Sequence, residues 1–552
     1  MLRIGVMLDS LETSAWIASI LEQIQASDFA RIQLVILNTP PTMARPALRK
    51  RLQNHWKLTL YHRYEEWDYA RHRKEPDSRA RRNVKDVLQG VPELVVNPTR
   101  KGFSDYLNDA DLEAIRAADL DVILRFGFRI LRGGILDAAR YGIWSFHHGD
   151  NREYRGGPPL FWEVYEGNPV SGTILQVLTS SLDAGKVIYR GHSATNTRSL
   201  YQNRNPIYWK TSEFLLRRLR DLDAFEWEYI TSLPTYNEAD PLPARIYRTP
   251  HTGQMLAFAG KVVSRRLRAS LNSRLHGGFT QWFLAIRPRT PGLSFDNPGG
   301  YKVLTPPRDR FYADPFLFER DGKTYLFFED YRYSEQRALI CCAELHGDGS
   351  LGEAVEVLRR PYHLSYPFVF EYQGEMYMIP ETRENGTVEL YKAEKFPWRW
   401  VLDRVLLEDV SAVDATMHAH EGRLWMFTGM SNGRYSNCDE LALFSSESLF
   451  GPWKMHPQSP IVSDVRRARP AGALFYENSR LIRPSQDCGK AYGYGLVFSE
   501  ITKLNEVEFE EREISRIGPE WHPDNLGTHT YTRSRHFEVI DGNIAHKPPK
   551  GA

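Results

Sequence analysis

The chain has 552 residues, of which 42% are hydrophobic, 12% aromatic and 25% charged. This composition excludes a disordered chain, and the length predicts two or three domains. The formal net charge of +2 excludes an overall field that would attract nucleic acid, so we expect no nucleic-acid partner.

The cysteines and the N-terminus restrict the protein further. None of Cys341, Cys342, Cys438 and Cys488 has the spacing of a metal motif, so neither a disulfide framework nor a metal site is expected. The N-terminus lacks the pattern of a signal peptide, and no apolar run is long enough to span a bilayer. We therefore expect a cytoplasmic protein without a transmembrane segment.

The first third of the chain alternates short apolar runs with helix-like segments. Strands are predicted at Ile4–Leu8, Ile32–Leu37, Val122–Phe126 and Ile143–Phe146, and helices at Thr13–Gln25 and Leu112–Ala118. Continuous apolar strands separated by helices are typical of a parallel sheet covered on both faces. The pattern predicts an α/β domain over residues 1–235, with a mostly parallel, doubly wound sheet.

Residues 236–278 form a predicted linker. A proline-rich stretch is followed by a helical pattern in which basic residues alternate with an apolar stripe of Leu256, Ala259, Val263, Leu267 and Leu271. Two interpretations are open for this helix. It is either a connector packed between domains or a basic amphipathic helix that makes peripheral contact with an anionic membrane.

The second half of the chain contains an internal repeat with a period of about fifty residues. Each copy has two apolar strands joined by a polar turn, as in a propeller blade. The copies are Phe311–Asp330, Leu364–Thr382, Ala412–Gly429 and Ala468–Gln486, with a weaker one near His522–Tyr531. The repeat predicts an all-β propeller of four or five blades over residues 279–545.

The chemistry of the first domain is concentrated after the strand that ends at Phe146. This strand places His147 and His148 at its carboxyl edge, where ligands bind in open α/β sheets. Asp183 lies in a short Ser-Leu-Asp-Ala-Gly loop that follows the next strand. A histidine and an aspartate on adjacent loops of one sheet edge are the parts of a proton-transfer site.

At these residues the sequence resembles the formyltransferases that use 10-formyltetrahydrofolate, which include the methionyl-tRNA, glycinamide ribonucleotide and sugar N-formyltransferases. The family pattern has Asn-x-His, a loop ending in Arg-Gly before a proline, a Thr-Gly-like strand start and an Asp-Thr-Gly-like turn. Its counterparts are His147, Tyr154–Pro158, Ser171–Thr173 and Leu182–Gly185, in that order. The likeness is sharp over Leu120–Gly191, and Ser145 stands where the family has asparagine.

The resemblance implies roles for particular residues. The implied catalytic residues are His147, Asp183 and Ser145. Those implied to contact the folate co-substrate, 10-formyltetrahydrofolate, are Phe126, Gly127, Ile130 and Leu178. Those implied to contact the acceptor are His148, Tyr154, Arg155 and Gly156. Because Ser145 reaches less far than asparagine, a lost or altered activity is the alternative.

The second half resembles the five-bladed propellers of glycosidases and the N-terminal domain of plant glucosamine inositolphosphorylceramide transferases. The first repeat, with Asp before Pro, carries the resemblance to the glycosidases. The residues predicted to face the central funnel and bind substrate are Asp314, Tyr366, Asp414 and Arg469. Glu329 and Glu381 are further carboxylate candidates near strand ends, although sugar binding is favoured over hydrolysis.

Together these resemblances predict transfer of a formyl group from 10-formyltetrahydrofolate to an amine of an amino sugar, nucleotide sugar or glycan. The expected partners are therefore a folate and a glycan-type acceptor, which the propeller helps to recognise. The alternatives are a glycan-active enzyme whose site is the propeller, and a glycan-binding protein without catalysis. In both alternatives the formyltransferase-like domain is catalytically altered.

Overall fold

The structure is a computed structural model that describes residues 1–39, 48–180, 185–238, 245–276, 279–290, 292 and 294–546. Within these ranges the side chains of residues 48–59, 269, 272–276, 279 and 546 are not described. The chain divides into two compact units, Met1–Arg266 and Leu267–Ala552. Among the described helices, none is both long and apolar enough to cross a membrane.

The first unit is built from short strands and helices that alternate along the chain. Its strands are β1 (Leu2–Leu8), β2 (Glu12–Ser14), β3 (Ala30–Asn38), β4 (Arg81–Asn83), β5 (Glu93–Val96), β6 (Thr99–Lys101), β7 (Ser104–Tyr106), β8 (Val122–Arg125), β9 (Ile130–Arg132), β10 (Ile143–His147), β11 (Arg155–Gly156), β12 (Val170–Val177), β13 (Lys186–Ala194) and β14 (Ile246–Tyr247). Its helices are α1 (Ala15–Gln25), α2 (Leu48–His72), α3 (Asp109–Ala117), α4 (Phe161–Glu166), α5 (Leu200–Ser232) and α6 (Thr252–His276).

A seven-stranded sheet forms the centre of this unit, with the strand order β13-β12-β10-β8-β1-β3-β5. The five strands from β10 to β5 are parallel, whereas β12 and β13 are antiparallel to their neighbours. The predicted, mostly parallel sheet is therefore a mixed sheet. The connection between β12 and β13 is too short for the crossover that parallel neighbours require, which accounts for the antiparallel pairing of these two strands.

Helices cover both faces of this sheet, as the pattern predicts. Side chains of β1 alternate between the two faces, because Ile4 and Val6 join a core cluster with α1 and α5, whereas Met7 joins a second cluster with α3. The predicted strands all lie in the sheet, and α1 matches the helix predicted over Thr13–Gln25. The sheet is thus buried on both sides, and its strand ends are where polar side chains become accessible.

Helix α6 packs part of its length against the first unit. Phe258 is buried among aromatic side chains that include Phe161. Arg265 donates hydrogen bonds to the carbonyl oxygens of Val164 (2.7 Å) and Tyr165 (3.1 Å). In contrast, Leu256 and Val263 of the predicted apolar stripe are more than half exposed.

The second unit consists almost entirely of strands. They are β15 (Phe279–Pro288), β16 (Lys302–Leu304), β17 (Arg310–Arg320), β18 (Lys323–Arg332), β19 (Arg337–Leu345), β20 (Val355–Leu358), β21 (Ser365–Tyr372), β22 (Glu375–Thr382), β23 (Thr387–Lys395), β24 (Arg399–Leu407), β25 (Ser411–His420), β26 (Arg423–Ser431), β27 (Leu441–Ser446), β28 (Lys454–Met455), β29 (Phe475–Glu477), β30 (Arg480–Asp487), β31 (Gly495–Leu504), β32 (Phe509–Ile517), β33 (Tyr531–Arg533) and β34 (Phe537–His546).

These strands form four-stranded, propeller-like antiparallel sheets. Four sheets, β17–β20, β21–β24, β25–β28 and β29–β32, each follow chain order, and their first two strands correspond to the four predicted repeats. A fifth sheet has the order β16-β15-β34-β33, so it joins strands from both ends of the unit. The sheets are separate ladders, and side chains from their first strands connect them, as in the hydrogen bonds from Thr530 to Asp314 and between Tyr366 and Thr416.

Candidate functional site

A cavity of about 150 Å³ opens beside β8, β10 and β12 of the first unit. We call it the sheet-edge cavity; its lining residues are Arg125, Ile130, Leu131, Arg132, Ser145, Phe146, His147, Gln176, Leu178, Thr179 and Gly185. Two of the predicted catalytic residues, Ser145 and His147, and two of the predicted folate contacts, Ile130 and Leu178, therefore line one cavity.

The strand register explains why these polar side chains lie together. Ser145 pairs with Arg125 on one side and with Gln176 on the other, so the three residues form one row across β8, β10 and β12. Register partners project from the same face of a sheet, and His147 shares that face because it lies two residues beyond Ser145. Three side chains that can donate hydrogen bonds and an imidazole thus converge on the cavity.

Arg125 and Ser145 are in direct contact. Arg125 Nη1 donates to Ser145 Oγ over 3.0 Å, and Arg125 Nη2 donates to the carbonyl oxygens of Phe128 (2.9 Å) and Arg129 (2.8 Å). Burial lowers the pKa of Arg125, because it removes the charged guanidinium from water. The guanidinium is therefore fixed in orientation at the wall of the cavity.

His147 is oriented by a backbone carbonyl. Its Nε2 lies 2.8 Å from the carbonyl oxygen of Tyr154. Because a carbonyl only accepts, Nε2 carries the proton of the neutral ring, and Nδ1 remains as the acceptor nitrogen. Gly149 allows this approach, since a Cβ there would lie only 3.0 Å from His147 Nε2 and 2.7 Å from the Tyr154 carbonyl oxygen.

The His148 side chain lies on the opposite face of the sheet from Ser145 and His147. His148 contacts the rings of Trp16, Phe146 and Tyr208, and its Nε2 lies 3.3 Å from the Thr211 hydroxyl. Burial lowers the pKa of His148 to about 3, so this ring is neutral at physiological pH. The structure therefore separates His148 from His147, which the sequence analysis assigned to one site.

Two predicted folate contacts, Phe126 and Gly127, are not among the described residues that line the cavity. The Phe126 ring packs against Trp16 on the face that also holds His148. Gly127 packs against Asp9, and a Cβ at this glycine would lie 2.7 Å from the Asp9 backbone nitrogen. Both residues thus pack against other parts of the first unit at the end of β8.

Asp183, the third predicted catalytic residue, lies outside the described residues. The described residues on either side of its loop include Thr179 and Gly185, and both line the sheet-edge cavity. A role for Asp183 beside His147 stays a prediction.

The Tyr154–Gly156 segment contacts His147 through the backbone carbonyl of Tyr154 and not through the tyrosine ring. The Tyr154 hydroxyl donates to Glu166 (3.0 Å) and accepts from Asn168 (3.1 Å), so the ring points away from His147. Arg155 and Gly156 form β11 and pair with β14. Gly156 has a φ of 89°, and a Cβ there would collide with the carbonyl oxygen of Tyr247.

Sequence reasoning missed several polar residues of the first unit, two of which line the cavity. Gln176 interrupts the apolar run at the end of β12, and Arg125 ends the apolar strand β8, which are the signals that could have identified them. Asp150 was also missed; it accepts hydrogen bonds from Arg190 Nη1 (2.5 Å) and His192 Nε2 (3.1 Å). Gly172 makes room for Asp150, because a Cβ at Gly172 would lie 2.7 Å from the Asp150 Cβ.

The second unit contains a group of mostly buried carboxylates, which we call the acidic centre: Asp314, Glu329, Glu381, Asp414 and Asp541. Asp314, Tyr366 and Asp414 occupy equivalent positions in the first three sheets, where each has a φ between 45° and 53° and a ladder irregularity follows. Such a conformation is strained for a tyrosine, and repeated strain is typical of a functional centre.

Asp314 lies between neighbouring sheets. Its carboxylate accepts hydrogen bonds from the Thr530 hydroxyl (2.7 Å) and the Tyr366 backbone nitrogen (3.2 Å), and it lies 3.6 Å from His529 Nε2. Nδ1 of the same histidine lies 2.5 Å from Asp541. The ligand atoms of Asp314, His529 and Asp541 all lie within 4.8 Å of one another, a spacing that a cation requires, although the sequence predicted no metal site.

Asp414 is paired with Arg469. Nε of this arginine donates to Asp414 over 2.6 Å, and Nη2 bonds both Asp414 and Glu381 at 3.2 Å. Gln486 also donates to Asp414, over 3.0 Å. The four predicted funnel residues, Asp314, Tyr366, Asp414 and Arg469, are thus brought together in the acidic centre.

Burial changes the acidity of this group. Burial raises the pKa of Asp314 to about 6, although the nearby imidazole of His529 opposes the shift. Burial and neighbouring carboxylates also raise the pKa of Glu329 and of Glu381 well above the usual range. Burial thus raises the pKa of several carboxyl groups of the acidic centre, while Asp414 and Glu381 are bonded to an arginine.

Comparison with known proteins gives different relatives for the two parts of the chain. Residues 305–541 match the family model described as glucosamine inositolphosphorylceramide transferase 1, N-terminal. Glucosamine inositolphosphorylceramide transferase 1 of Oryza sativa subsp. japonica is 35% identical over 252 residues, which are 44% of this chain and 32% of the relative. The chain therefore spans about a third of the length of this relative.

The second group of relatives is the formyltransferases. Methionyl-tRNA formyltransferase of Prochlorococcus marinus is 24% identical over 155 residues, 27% of this chain and 47% of the relative. Glycinamide ribonucleotide transformylase 1 from Symbiobacterium toebii aligns in structure at 16% identity, covering 42% of this chain and 88% of that chain, with a TM-score of 0.26. The resemblances predicted from the sequence are confirmed: a formyltransferase-like part is joined to a part similar to the N-terminal region of glucosamine inositolphosphorylceramide transferase 1.

Proposed function

We propose that the protein transfers a formyl group from 10-formyltetrahydrofolate to the amine of an amino sugar, as a free or nucleotide-linked sugar or within a glycan. The observation that carries this proposal is the row Arg125–Ser145–Gln176 beside His147, which converges on one cavity. The similarity to formyltransferases supports it, and the similarity to a glucosamine-related transferase favours a sugar acceptor.

The lining of the sheet-edge cavity suits the reactive part of a folate. Ile130, Leu131 and Leu178 offer apolar walls, whereas buried Arg125 Nε and Gln176 Oε1 have no hydrogen-bond partner among the described residues. An unpaired buried donor and an unpaired buried acceptor match a ring that carries both groups on its edge. At about 150 Å³ the cavity is smaller than a whole ligand site, which usually exceeds about 300 Å³, so the rest of the folate would lie outside it.

When bound, the folate supplies the activated formyl carbon. The chain's own residues then have separate tasks. His147 is positioned by the Tyr154 carbonyl, so its Nδ1 can accept a proton from the attacking amine. Ser145 donates to the formyl oxygen, and Asp183 is proposed to position His147. Gly156 pairs with Tyr247 and so positions the loop whose Tyr154 carbonyl contacts His147.

In this proposal residues 1–235 form the catalytic domain, 236–278 the linker and 279–545 a five-bladed propeller that binds the sugar. The acidic centre supports sugar binding, because carboxylates and an arginine in a partly buried site can bond several hydroxyl groups. The proposed substrate contacts there are Asp314, Tyr366, Asp414 and Arg469. A cytoplasmic location would place the protein with the folate pool.

The test is an assay of tetrahydrofolate release with purified full-length protein, 10-formyltetrahydrofolate and a panel of amino sugars. We expect turnover with at least one acceptor and a loss of about 100- to 10,000-fold in His147→Ala, because a positioned general base contributes about that much. His148→Ala is the matched control on the opposite face and should lose far less. Wild type no faster than His147→Ala with every acceptor would contradict the proposal.

A second candidate function is a glycan-active site in the acidic centre, favoured by carboxyl groups whose pKa is raised by burial, beside Asp414, which is bonded to Arg469. Glycosidases use such a pair, one carboxyl group as the acid and the other ionised. This function predicts sugar release that is lost in Asp314→Asn and retained in His147→Ala, measured as reducing ends from a glycan panel. Sugar binding without release in any variant would instead favour a recognition role.

A further inference from the structure

We propose that Arg125 is a catalytic residue of formyl transfer. Its charged guanidinium and the Ser145 hydroxyl act together as hydrogen-bond donors to the formyl oxygen. The inference rests on the proposed function, and it assigns a role to a residue that the sequence analysis did not select. With Ser145 in place of asparagine, the Arg125 guanidinium would supply the second donor that stabilises negative charge on the formyl oxygen.

The position of Arg125 is built into the fold. Its Nη2 is anchored by two backbone carbonyls, at 2.9 Å and 2.8 Å, and its Nη1 bonds Ser145 Oγ at 3.0 Å. Anchoring by backbone groups fixes the guanidinium without cancelling its charge. The side chain therefore lines the sheet-edge cavity as a preorganised cation.

The charge of Arg125 lacks a counter-ion among the described residues. No carboxylate of the described part of the chain lies within 4.0 Å of its guanidinium, and its buried Nε has no hydrogen-bond partner there. Asp9 and Asp105 act on it only at longer range. Holding an unpaired charge away from water is costly, and the cost falls when negative charge develops next to it.

Ser145 is left with a hydroxyl proton to donate. Its Oγ accepts the Arg125 hydrogen bond and donates to the Phe146 carbonyl over 3.5 Å, the limit of a hydrogen bond. A hydroxyl that accepts from a cation is polarised and becomes a better donor. Arg125 thus orients and strengthens the short Ser145 side chain.

The chemistry needs no further reagent. The amine nitrogen forms a bond to the formyl carbon, the bond from that carbon to N10 of the folate breaks, and the proton lost by the amine ends on N10. Negative charge rises on the formyl oxygen while both bonds are partial. Arg125 and Ser145 stabilise that oxygen, and His147 moves the proton.

The experiment compares Arg125→Met, Arg125→Lys and the control Arg129→Met in the tetrahydrofolate-release assay. The Arg129 side chain is exposed and donates to the Gly102 carbonyl over 3.3 Å, whereas only the Arg129 backbone carbonyl, which the substitution keeps, contacts Arg125. We expect Arg125→Met to lower kcat by about 100- to 1,000-fold with KM for the folate changed less than about threefold, as for the loss of a transition-state donor. Arg125→Lys should retain part of kcat, and Arg129→Met all of it.

Two further measurements separate catalysis from folding. Guanidinium ion added at millimolar concentration should raise kcat of Arg125→Ala, and Ser145→Asn in the Arg125→Met background should restore activity by supplying an amide donor. Full activity in Arg125→Met, or a folded Arg125→Met whose only change is in KM, would overturn the inference and leave the proposed function standing. A wild type without turnover would overturn the proposed function, and this inference with it.

Discussion

Arg469→Met is expected to lower the free energy of unfolding of the second unit by about 3–5 kcal/mol, because it leaves buried carboxylates without their cation. Asp414 and Glu381 both bond this guanidinium, and Asp414 is 1% exposed. For a unit of this size the loss corresponds to a fall in Tm of about 6–20 °C. Differential scanning calorimetry of the full-length protein at pH 7 measures it.

The double variant Arg469→Met/Asp414→Asn provides the internal control, because it removes the cation and one of its carboxylates together. It should recover much of the loss seen in Arg469→Met alone. Arg512→Met provides the surface control: Arg512 pairs with Glu500 but its side chain is 71% exposed, so we expect about 0–1 kcal/mol. Equal effects for Arg469→Met and Arg512→Met would contradict a buried ion pair at the acidic centre.

Asp314→Asn is expected to remove about 3 kcal/mol of the change with pH in the free energy of unfolding of the second unit. Burial raises the pKa of Asp314 from 3.8 to about 6, so between these values the folded protein holds a proton that the unfolded chain has lost. The contribution of Asp314 to the free energy of unfolding is therefore at its maximum below about pH 4, and it is lost as the pH rises to about 6. In Asp314→Asn this fall disappears.

The measurement is the Tm difference between wild type and Asp314→Asn at several pH values from 4 to 8. The slope of this Tm difference against pH is independent of any effect of the substitution that is the same at every pH. His529 acts with the same sign, because Asp541 and Asp314 raise its pKa and its stabilisation is lost as the pH rises. Asp321→Asn, at a site 88% exposed, is the control. Parallel profiles for wild type and Asp314→Asn would show that burial does not raise the Asp314 pKa.

These two predictions bear on function as well as stability. A centre in which burial raises the pKa of several carboxyl groups can donate hydrogen bonds to sugar hydroxyls from a protonated group and accept others with an ionised one. If Asp314→Asn weakens binding of the amino-sugar acceptor without lowering kcat, the acidic centre contributes recognition. If it abolishes sugar release, the centre is itself catalytic.

Much of the candidate site follows from local sequence. The alternation of side chains along β10 and the residue after it places Ser145 and His147 on one face and His148 on the other, which the sequence analysis did not use when it assigned both histidines to one site. Likewise the repeat of Asp314, Tyr366 and Asp414 is visible in the chain, and the structure places these residues near one another and near Arg469; their role as substrate contacts stays a prediction.

By itself the sequence determined the order of strands and helices, the four repeats and the resemblance around His147, because these depend on neighbours within a few tens of residues. Only the tertiary structure decided that the sheet is mixed and that a fifth sheet pairs β15 with β34. It also decided that Arg125 and Gln176 flank Ser145 and that the carboxylates form one buried group. The physical reason is that register and burial arise between strands distant in the chain, and pattern along one strand cannot specify its partner.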